Sequence, residues 1–310
     1  MKFRYYPQPP YDFALTANAS RYYSTLHRLE NGTLCRTLRI GDQVVLARAA
    51  SAGTVDQPVI DVEVEAVHGR VSLDQVEAKV RRWLDIDDDL GAFYTAANTD
   101  SVLAETVRKL HGLRLLRTDS VFEAAVITMI EQQIALSAAQ RAERWLIETY
   151  GETMRHAGRS YPVFPAPVHL ALLDETALTP LKITFVRIRR LLALAQHGSA
   201  IESIMMLDGD SAYRSLMAYE GIGHWTAAWT MIRALGHYPY VGSGDVALRA
   251  AVNAYWLGLP GKATPAETGA QFARFAPYDG LASISPPRGG GTARYPALGS
   301  TADQDSLRGR

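Results

Sequence analysis

The stretch 216-LMAYEGIGHWTAAWTMIRALGHYPYVGSGDVALR-249 has the most informative pattern in this chain of 310 residues. Apolar residues at helical spacing lead into a turn at Gly221-Ile222-Gly223, and a second helical pattern runs from Trp225 to Leu235. Glycine at two of the three turn positions allows positive φ and a close approach to a ligand. The next helix presents N–H groups that have no partner within the helix. This stretch therefore predicts a helix-hairpin-helix with a phosphate-binding turn.

Asp245 lies twenty residues after Trp225, at the start of a third predicted helix from Val246 to Trp256. Arg249 lies in the first turn of that helix. An aspartate at a helix start is by itself most simply an N-cap. Next to a phosphate-binding hairpin, the same residue becomes a candidate for a catalytic carboxylate.

These residues resemble the helix-hairpin-helix DNA glycosylases, and in particular the bacterial DNA-3-methyladenine glycosylase II branch. The resemblance rests on Leu216-x4-Gly221-Ile222-Gly223-x-Trp225-Thr226-Ala227 and on the aspartate inside Gly244-Asp245-Val246-Ala247-Leu248-Arg249. The segments 83-WLDIDDDLGAFY-94 and 112-GLRLL-116 are also similar to the family, so the resemblance covers roughly residues 10 to 282. A lone Gly-Ile-Gly turn would instead fit many purely structural helical turns.

Composition limits the classes of protein to which this chain can belong. An apolar fraction of 47% is enough for a folded core, and the length allows one large or two ordinary domains. The 32 basic and 32 acidic residues cancel, so any DNA contact must come from local charge. The single cysteine, Cys35, excludes internal disulfides and a four-thiolate iron-sulfur cluster. The sequence has no signal-peptide pattern and no apolar run of membrane-spanning length, so we expect a cytoplasmic protein without a membrane partner.

The N-terminal part has the pattern of a sheet covered by a helix. Alternating apolar residues from Phe13 to about Gly69 predict an antiparallel sheet with one face in solvent. A capping box at Ser72-Leu73-Asp74-Gln75 predicts a helix that covers the other face. The acidic run Asp85-Ile86-Asp87-Asp88-Asp89 lacks the spacing of a calcium loop, and we interpret it as a solvated helix entry.

A helical period begins near residue 93. Capping boxes at Ser120 and Ser137 predict two helices that meet at a corner, and Thr264 opens the last helix. The predicted fold class is an α+β N-terminal domain, an antiparallel sheet with helices at residues 1–92, followed by an all-α helix-hairpin-helix glycosylase domain at residues 93–285. Residues 286–310 are rich in Pro, Gly and polar side chains and are predicted to be a disordered tail.

The resemblance implies a catalytic role for Asp245. A carboxylate shielded from water can stabilise the positive charge that develops on the sugar, and it can orient or deprotonate the attacking water. Trp225, Trp229 and Tyr240 are expected to line the base pocket, with Tyr238 as a further wall, because electron-rich rings suit a base made cationic by alkylation. Two tryptophans four residues apart on one helix face can equally be core packing.

The resemblance also implies DNA contacts on the hairpin and on the corner after the Ser120 helix. The expected DNA-binding residues are Gly221, Ile222, Gly223, Thr226, Arg249, Gln132 and Gln133. Gln133, with Gln132 and Ile134 as neighbours, is expected to fill the gap left by the extruded base. A polar corner that caps the next helix is the alternative. Arg249 can contact DNA or pair with Asp245.

No redox cofactor or catalytic metal is expected. The resemblance implies a structural Na+ or K+ held by the backbone carbonyls of Met217, Tyr219 and Ile222. In relatives similar to endonuclease III, a lysine at the hairpin position held here by Trp225 forms a Schiff base with the sugar. Tryptophan has no amine, so we expect base release by water without strand cleavage.

The expected function is that of a monofunctional DNA glycosylase in base excision repair. It would act as a nucleoid-associated monomer on double-stranded DNA that contains alkylated, 3-methyladenine-type bases. The chain departs from the family where 275-FAPYDG-280 runs into a Pro/Gly-rich tail, which affects the completeness of the base pocket. The alternatives are a glycosylase for oxidised or mismatched bases, and a non-catalytic DNA-binding protein that kept the hairpin.

Overall fold

The computed structural model of the protein describes residues 1–21, 23–66 and 71–285. The tail predicted at residues 286–310 lies outside these ranges. The predicted fold class is confirmed, because an antiparallel sheet with helices is followed by a mainly helical region. Within the described ranges, no helix combines the length and apolar character needed to cross a lipid bilayer.

The N-terminal part is a five-stranded antiparallel sheet. Its strands are β1 (Lys2–Tyr5), β2 (Arg28–Glu30), β3 (Thr33–Ile40), β4 (Gln43–Ser51) and β5 (Ile60–Ala66). They lie in the order β1-β5-β4-β3-β2. Ile40 pairs with Gln43 across a turn at Gly41-Asp42, and Leu38 pairs with Val45. Paired residues point to the same face of a sheet, so Leu38 and Val45 both face the core.

Two helices, α1 (Phe13–Ser20) and α2 (Leu73–Trp83), cover one face of the sheet. Their side chains in the shared core are Phe13, Ala17, Val76, Val80 and Trp83. The prediction of strand from Phe13 onward is wrong for residues 13–20, because Asp12 accepts the Leu15 N–H at 2.9 Å and starts a capped helix there. α2 begins after Ser72 as predicted, although the Ser72 side chain makes no capping hydrogen bond.

Helices form most of the remaining chain. They are α3 (Gly91–Asn98), α4 (Leu103–Lys109), α5 (Val121–Glu131), α6 (Leu136–Tyr150), α7 (Pro167–Ala171), α8 (Phe185–Gln196), α9 (Gly198–Ser203), α10 (Gly209–Met217), α11 (His224–Thr230), α12 (Val246–Ala251), α13 (Pro265–Phe272) and α14 (Asp279–Ser283). α11 continues as a π-helix over Met231–Leu235, and α12 continues as a π-helix over Val252–Leu257. Short 3-10 turns lie at Glu175–Leu181, Ile204–Met206 and Ala273–Phe275.

The region predicted to be all-helical also contains a β-hairpin. Its strands, β6 (Glu152–His156) and β7 (Arg159–Val163), follow the end of α6. The hairpin side chains Met154, Tyr161 and Val163 pack with Cys35 and Leu46 on the second face of the sheet. That face is therefore partly covered by protein, where solvent was predicted. Each hairpin strand has five residues, and so short an alternation cannot be separated from a helix end by periodicity alone.

The helices pack into two cores. The first core joins α5, α6, α8, α10 and the continuation of α11 through Phe122, Leu146, Leu191, Leu216 and Met231. The second joins α3, α4, the continuation of α12, α13 and α14 through Phe93, Leu103, Val252, Phe272 and Leu281. The hairpin of the candidate site therefore belongs to one core, and the helix that follows Asp245 belongs to the other.

The predicted helix starts have different outcomes. Ser120 accepts the Glu123 N–H at 2.9 Å, and Thr264 forms a complete capping box with Glu267. The predicted box at Ser137 is wrong, because α6 already begins at Leu136 with Ala135 at the N-cap. An extended residue before the helix can serve as N-cap without a side-chain acceptor, and sequence patterns do not mark such a start.

The acidic run is only partly the solvated helix entry that was predicted. Asp87 and Asp89 are exposed before α3, whereas Asp85 and Asp88 belong to a buried ion-pair cluster. Arg117 Nη2 donates to Asp85 Oδ1 at 2.7 Å, to Asp88 Oδ2 at 2.7 Å and to the Tyr238 hydroxyl at 2.8 Å. Asp85, Arg117 and Tyr238 are each at least 95% buried. Burying charges is favourable only when they are paired. This cluster therefore connects the segment after α2 with the loop that follows α11.

Glu143 is a buried acid on α6. Thr25 donates to Glu143 Oε1 from its hydroxyl at 2.9 Å and from its N–H at 3.4 Å. Burial raises the pKa of Glu143 to about 7, because removal from water penalises the charged carboxylate more than the Thr25 hydrogen bonds favour it. The folded protein therefore holds a proton on this group to higher pH than the unfolded chain does.

We expect Glu143→Gln to change the pH dependence of stability. In the unfolded chain the Glu143 carboxyl ionises near its ordinary pKa of about 4.3, and in the folded protein it ionises near 7. The stabilising contribution of its proton is therefore complete below about pH 4.3 and is lost as pH rises through about 7. The difference in free energy of unfolding, variant minus wild type, should therefore be about 2 to 3 kcal/mol larger at pH 8 than at pH 5. Urea unfolding at both pH values measures this difference.

The control is Glu148→Gln on the same helix, where the side chain is exposed. Its difference from wild type should be nearly independent of pH. A Glu143→Gln difference that stays constant between the two pH values would show that the buried carboxyl is ionised in the folded state throughout.

Candidate active site

α10 and α11 form the predicted helix-hairpin-helix. Gly221 in its turn has a φ of +89°, and a Cβ there would lie 2.7 Å from Arg190 Cδ and 3.2 Å from Met129 Cε. Both the backbone conformation and the packing therefore require glycine at this position. Gly223, the N-cap of α11, has a φ of −89°, and nothing in the described chain lies within 4 Å of where its Cβ would be. The turn thus needs one positive φ, and its Gly223 side is open.

Asp245 is half-buried at the N-terminus of α12, where it was predicted to be the N-cap. Its Oδ1 accepts the Ala247 N–H at 2.8 Å and the Leu248 N–H at 3.2 Å. Its Oδ2 accepts the indole N–H of Trp225 at 3.2 Å. The structure therefore brings Asp245 and Trp225 into direct contact across the junction between the two helical cores, although twenty residues separate them in the sequence.

Trp225 and Trp229 lie next to each other on α11, with ring centroids 6.3 Å apart and an interplanar angle of 60°. Both indoles are partly exposed, so neither is simply a core residue. A Cβ at Gly242 would lie 2.9 Å from Trp225 Cδ1 and 3.7 Å from Trp229 Nε1. The loop that carries Asp245 therefore packs its glycine backbone directly on the two rings.

The two tyrosines predicted for the base pocket make contacts with other parts of the described chain. Tyr240 stacks on Tyr213 of α10, with ring centroids 4.1 Å apart, and its hydroxyl donates to Asp210 Oδ1 at 2.7 Å. Tyr238 is buried in the ion-pair cluster and accepts a hydrogen bond from Arg117. Both residues lie in the loop before Asp245, but their side chains contact α10 and the ion-pair cluster.

Two of the polar residues predicted to bind DNA are engaged within the protein. Gln132 Nε2 donates to Gly221 O at 3.0 Å and to Thr226 Oγ1 at 2.8 Å. Thr226 is 2% exposed, and the Ile222 side chain is 3% exposed. These side chains therefore brace the turn from inside. The Ile222 N–H donates to the Tyr219 carbonyl at 3.1 Å, so Ile222 is also engaged within the protein.

Gln133 and Arg249 have different environments. Gln133 is exposed at the corner between α5 and α6, in a left-handed conformation with a φ of +55°. Few residues other than glycine and asparagine adopt this conformation without strain. Arg249 Nε donates to Ala263 O at 2.6 Å and thereby fixes the segment before α13. The structure thus leaves Gln133 exposed beside the hairpin brace and gives Arg249 a partner other than the Asp245 carboxylate.

The carbonyl groups predicted to hold a monovalent cation lie at the end of α10 and in the turn. The Tyr219 carbonyl accepts the Ile222 N–H at 3.1 Å, and Met217 is the last residue of α10. Carbonyl oxygens at the C-terminal end of a helix carry partial negative charge and lack partners within the helix. The chemistry of this donor set therefore suits Na+ or K+.

An apolar cavity lies between α1, α3, α4 and α14, away from this group of residues. Leu90, Phe93, Val107 and Leu281 are among its lining side chains. Its lining within the described chain does not include Trp225, Trp229 or Asp245. The cavity is therefore not the site at which the indoles meet the carboxylate.

Sequence reasoning missed several residues that contact the two indoles or the loop of Asp245. Gly242 could have been recognised only through the short motif 242-GSGD-245. Arg233 lies with its guanidinium carbon 5.2 Å from the Trp229 ring centroid and donates to Glu131 Oε1 at 3.0 Å. His224 contacts Val241 of the same loop, and no sequence signal connects the two residues.

The chain is similar in sequence to several known proteins. Residues 2–119 match the family model of the AlkA N-terminal domain, which extends beyond the predicted boundary at residue 92. A Bacillus subtilis protein named DNA-3-methyladenine glycosylase is 27% identical over 216 residues, which cover 68% of this chain and 71% of the relative. DNA-3-methyladenine glycosylase 2 of Escherichia coli is 26% identical over 234 residues, which cover 73% of this chain and 78% of the relative.

Solved structures share the fold over most of the chain. The 3-methyladenine DNA-glycosylase from Archaeoglobus fulgidus superposes with a TM-score of 0.75 at 19% identity, covering 91% of this chain and 98% of that protein. The Clostridium acetobutylicum 8-oxoguanine glycosylase/lyase in complex with double-stranded DNA gives a TM-score of 0.69 at 16% identity, covering 89% and 90%. Residues 2–119 are an AlkA-type N-terminal domain, and the chain is similar over about 70% of its length to relatives named DNA-3-methyladenine glycosylase.

Proposed function

We propose that this protein is a monofunctional DNA glycosylase that releases alkylated, 3-methyladenine-type bases from double-stranded DNA in base excision repair. The observation that carries the proposal is the contact between Asp245 and Trp225, 3.2 Å from carboxylate to indole, next to a hairpin turn whose Gly223 side is open. The relatives from Bacillus subtilis and Escherichia coli that are named for this activity support the same conclusion.

The proposed reaction is hydrolysis at the sugar carbon of an extruded nucleotide. An alkylated purine carries a positive charge, so it departs as a neutral base when it takes the electron pair of the N-glycosidic bond. Positive charge then develops on the sugar, and the Asp245 carboxylate stabilises it. A water oxygen bonds to the sugar carbon and gives its proton to Asp245 or to solvent. The products are the free base and an abasic site.

The hairpin would hold the DNA backbone while the base is extruded. Gly223 and the first residues of α11 present N–H groups toward open space, where a phosphate can bind. Gln132 and Thr226 keep the turn in this conformation from inside the protein. The carbonyls of Met217, Tyr219 and Ile222 would hold a Na+ or K+ that adds positive charge near the same phosphate. Gln133 would fill the vacated position in the base stack.

The two indoles would form the wall against which the extruded base lies. Trp225 and Trp229 are partly exposed and adjacent, and aromatic faces attract a cationic base by about 0.5 to 2 kcal/mol. Since Trp225 stands where a lyase would have an amine, the reaction should end at the abasic site without strand cleavage. The expected product DNA is cut only after treatment with alkali.

The test is single-turnover base release from end-labelled duplexes that contain one 3-methyladenine analogue, one hypoxanthine, one 8-oxoguanine or one mismatch. Release from the first two substrates, with strand breaks that require alkali, supports the proposal. Preferential release of 8-oxoguanine or of a mismatched base would assign the protein to the other lesion classes. Tight duplex binding without release of any base would make it a non-catalytic DNA-binding protein.

We expect Gly242→Ala to slow base release by about 10-fold to 100-fold, because a small displacement of catalytic groups has effects of this size. The added methyl would lie 2.9 Å from Trp225 Cδ1, so the indole that donates to Asp245 must move. The rate is measured in the same single-turnover assay, and thermal unfolding checks that the variant is folded.

Gly269→Ala on α13 is the matched control, because outside its own helix no atom of the described residues lies within 4 Å of the added methyl. This control should release base at the wild-type rate. A Gly242→Ala variant as fast as the control would show that the packing of the loop on the indoles does not matter for catalysis.

A further inference from the structure

We propose that His224 is a positioning residue that fastens the loop carrying Asp245 to the hairpin, and that it sets the rate of base release without binding the substrate itself. This inference rests on the proposed function. It is carried by a cluster of four side chains, Asp210, Tyr213, His224 and Tyr240, which we call the loop clamp.

His224 connects two parts of the site. It is the first residue of α11 and directly follows Gly223, so its backbone belongs to the open end of the hairpin. Its Nε2 lies 2.5 Å from Val241 O, in the middle of the loop that leads to Asp245. A carbonyl oxygen only accepts hydrogen bonds, so Nε2 must carry the proton. Nδ1 is in contact with the Tyr213 hydroxyl, which links the ring to α10.

The second connection of the clamp is made by Tyr240, the residue before Val241. Its ring stacks on Tyr213 at an interplanar angle of 7°, and its hydroxyl donates to Asp210 Oδ1. Burial and this hydrogen bond raise the pKa of Tyr240, so its hydroxyl remains a donor. Two consecutive loop residues are therefore attached to the hairpin, one through its side chain and the other through its carbonyl.

The position of Val241 determines the positions of the residues that follow it. The Ser243 N–H donates back to Val241 O at 2.7 Å, and the Asp245 N–H donates to Gly242 O at 2.9 Å. Gly242 between them packs on Trp225 and Trp229. A loop turn of this kind moves as a unit, so loss of the His224 hydrogen bond would displace the carboxylate relative to the phosphate-binding turn.

The main alternative is that His224 contacts a DNA phosphate, because it is exposed at the open end of the hairpin. The two roles make different predictions. Removing a phosphate contact lowers the affinity for any duplex and reduces the salt dependence of binding. Removing a positioning residue lowers the rate of the chemical step and leaves the affinity nearly unchanged.

The test compares His224→Ala, His224→Gln and wild type. Single-turnover base release is measured on the 3-methyladenine-analogue duplex, and affinity is measured on a duplex with a tetrahydrofuran abasic-site analogue at two salt concentrations. We expect His224→Ala to be about 10-fold to 100-fold slower, as for other displacements of catalytic groups, with an affinity within about 2-fold of wild type. The glutamine amide can donate to Val241 O in place of Nε2, so His224→Gln should recover most of the rate.

Amide hydrogen exchange gives a readout that does not depend on activity. The amides of Ser243 and Asp245 should exchange faster in His224→Ala and return toward wild-type rates in His224→Gln. His169→Ala, a change at an exposed histidine of α7, is the matched control and should alter none of these measurements.

The outcomes separate the inference from the proposed function. Wild-type protein that releases no base contradicts the proposed function, and the exchange data alone then decide whether His224 fastens the loop. Wild-type activity with an equally active His224→Ala overturns the inference. So does a loss of affinity at unchanged rate, and so does a glutamine variant as slow as the alanine variant.

Discussion

Asp245→Asn is expected to slow base release by about 100-fold to 10,000-fold while leaving the fold and the affinity for DNA in place. Asparagine keeps an oxygen that can accept the N–H groups of Ala247 and Leu248, so α12 retains its N-cap. The variant loses the negative charge that stabilises the sugar cation. It also loses the oxygen that accepts the Trp225 indole N–H.

The measurement is single-turnover release from the 3-methyladenine-analogue duplex, together with affinity for the abasic-site analogue and the unfolding temperature. Asp174→Asn is the matched control, because Asp174 is also a helix N-cap and accepts the Ala177 N–H at 3.0 Å on an exposed surface. The control should keep the wild-type rate. Equal rates for Asp245→Asn and wild type would leave Asp245 with a capping role only.

The positions of the main elements of the candidate site could be predicted from the sequence because they depend on local rules. The Gly221 turn needs a residue that tolerates positive φ, and an aspartate before α12 is a standard N-cap. Such preferences are decided within a few residues. The hairpin and the start of the following helix therefore appear where the pattern placed them.

The partners of the predicted side chains could not be derived in the same way. Thr226, Gln132 and Tyr240 were predicted to face DNA or the extruded base, whereas their contacts lie inside the protein. Whether a residue next to a turn points outward depends on which other helix packs there. That packing joins residues 90 or more positions apart, such as Gln132 and Thr226 in their hydrogen bond, and a single sequence carries no record of it.

The β-hairpin at residues 152–163 and helix α1 show the limit of periodicity. Both elements are short. Helix α1 has eight residues and spans about two helical turns, and each hairpin strand has five residues and only a few alternations. In α1 the buried residues are nearly continuous and include the polar Thr16 and Ser20, because the helix packs against the sheet and the segment before α5. Tertiary packing decides such segments, and intrinsic preferences contribute little.

The largest expected effect on stability comes from the ion pair between Arg36 of β3 and Glu123 of α5. Both side chains are 1% exposed, and Arg36 Nη2 lies 2.5 Å and 2.8 Å from the two carboxylate oxygens. Removing either partner leaves the other charge buried without compensation. We therefore expect Arg36→Met or Glu123→Leu alone to reduce the free energy of unfolding by about 3 to 5 kcal/mol.

The double variant Arg36→Met/Glu123→Leu should recover most of that loss, because apolar side chains of similar volume can replace a buried pair at little cost. Urea unfolding of the four proteins completes the cycle. Lys2→Ala, which breaks the exposed pair with Glu63, should leave the free energy of unfolding nearly unchanged. Since the buried pair joins the sheet to the helix that leads to Gln133, its loss would also loosen the corner that braces the hairpin turn. Single variants as stable as Lys2→Ala would mean that water reaches the pair and that the sheet contributes little to holding the site.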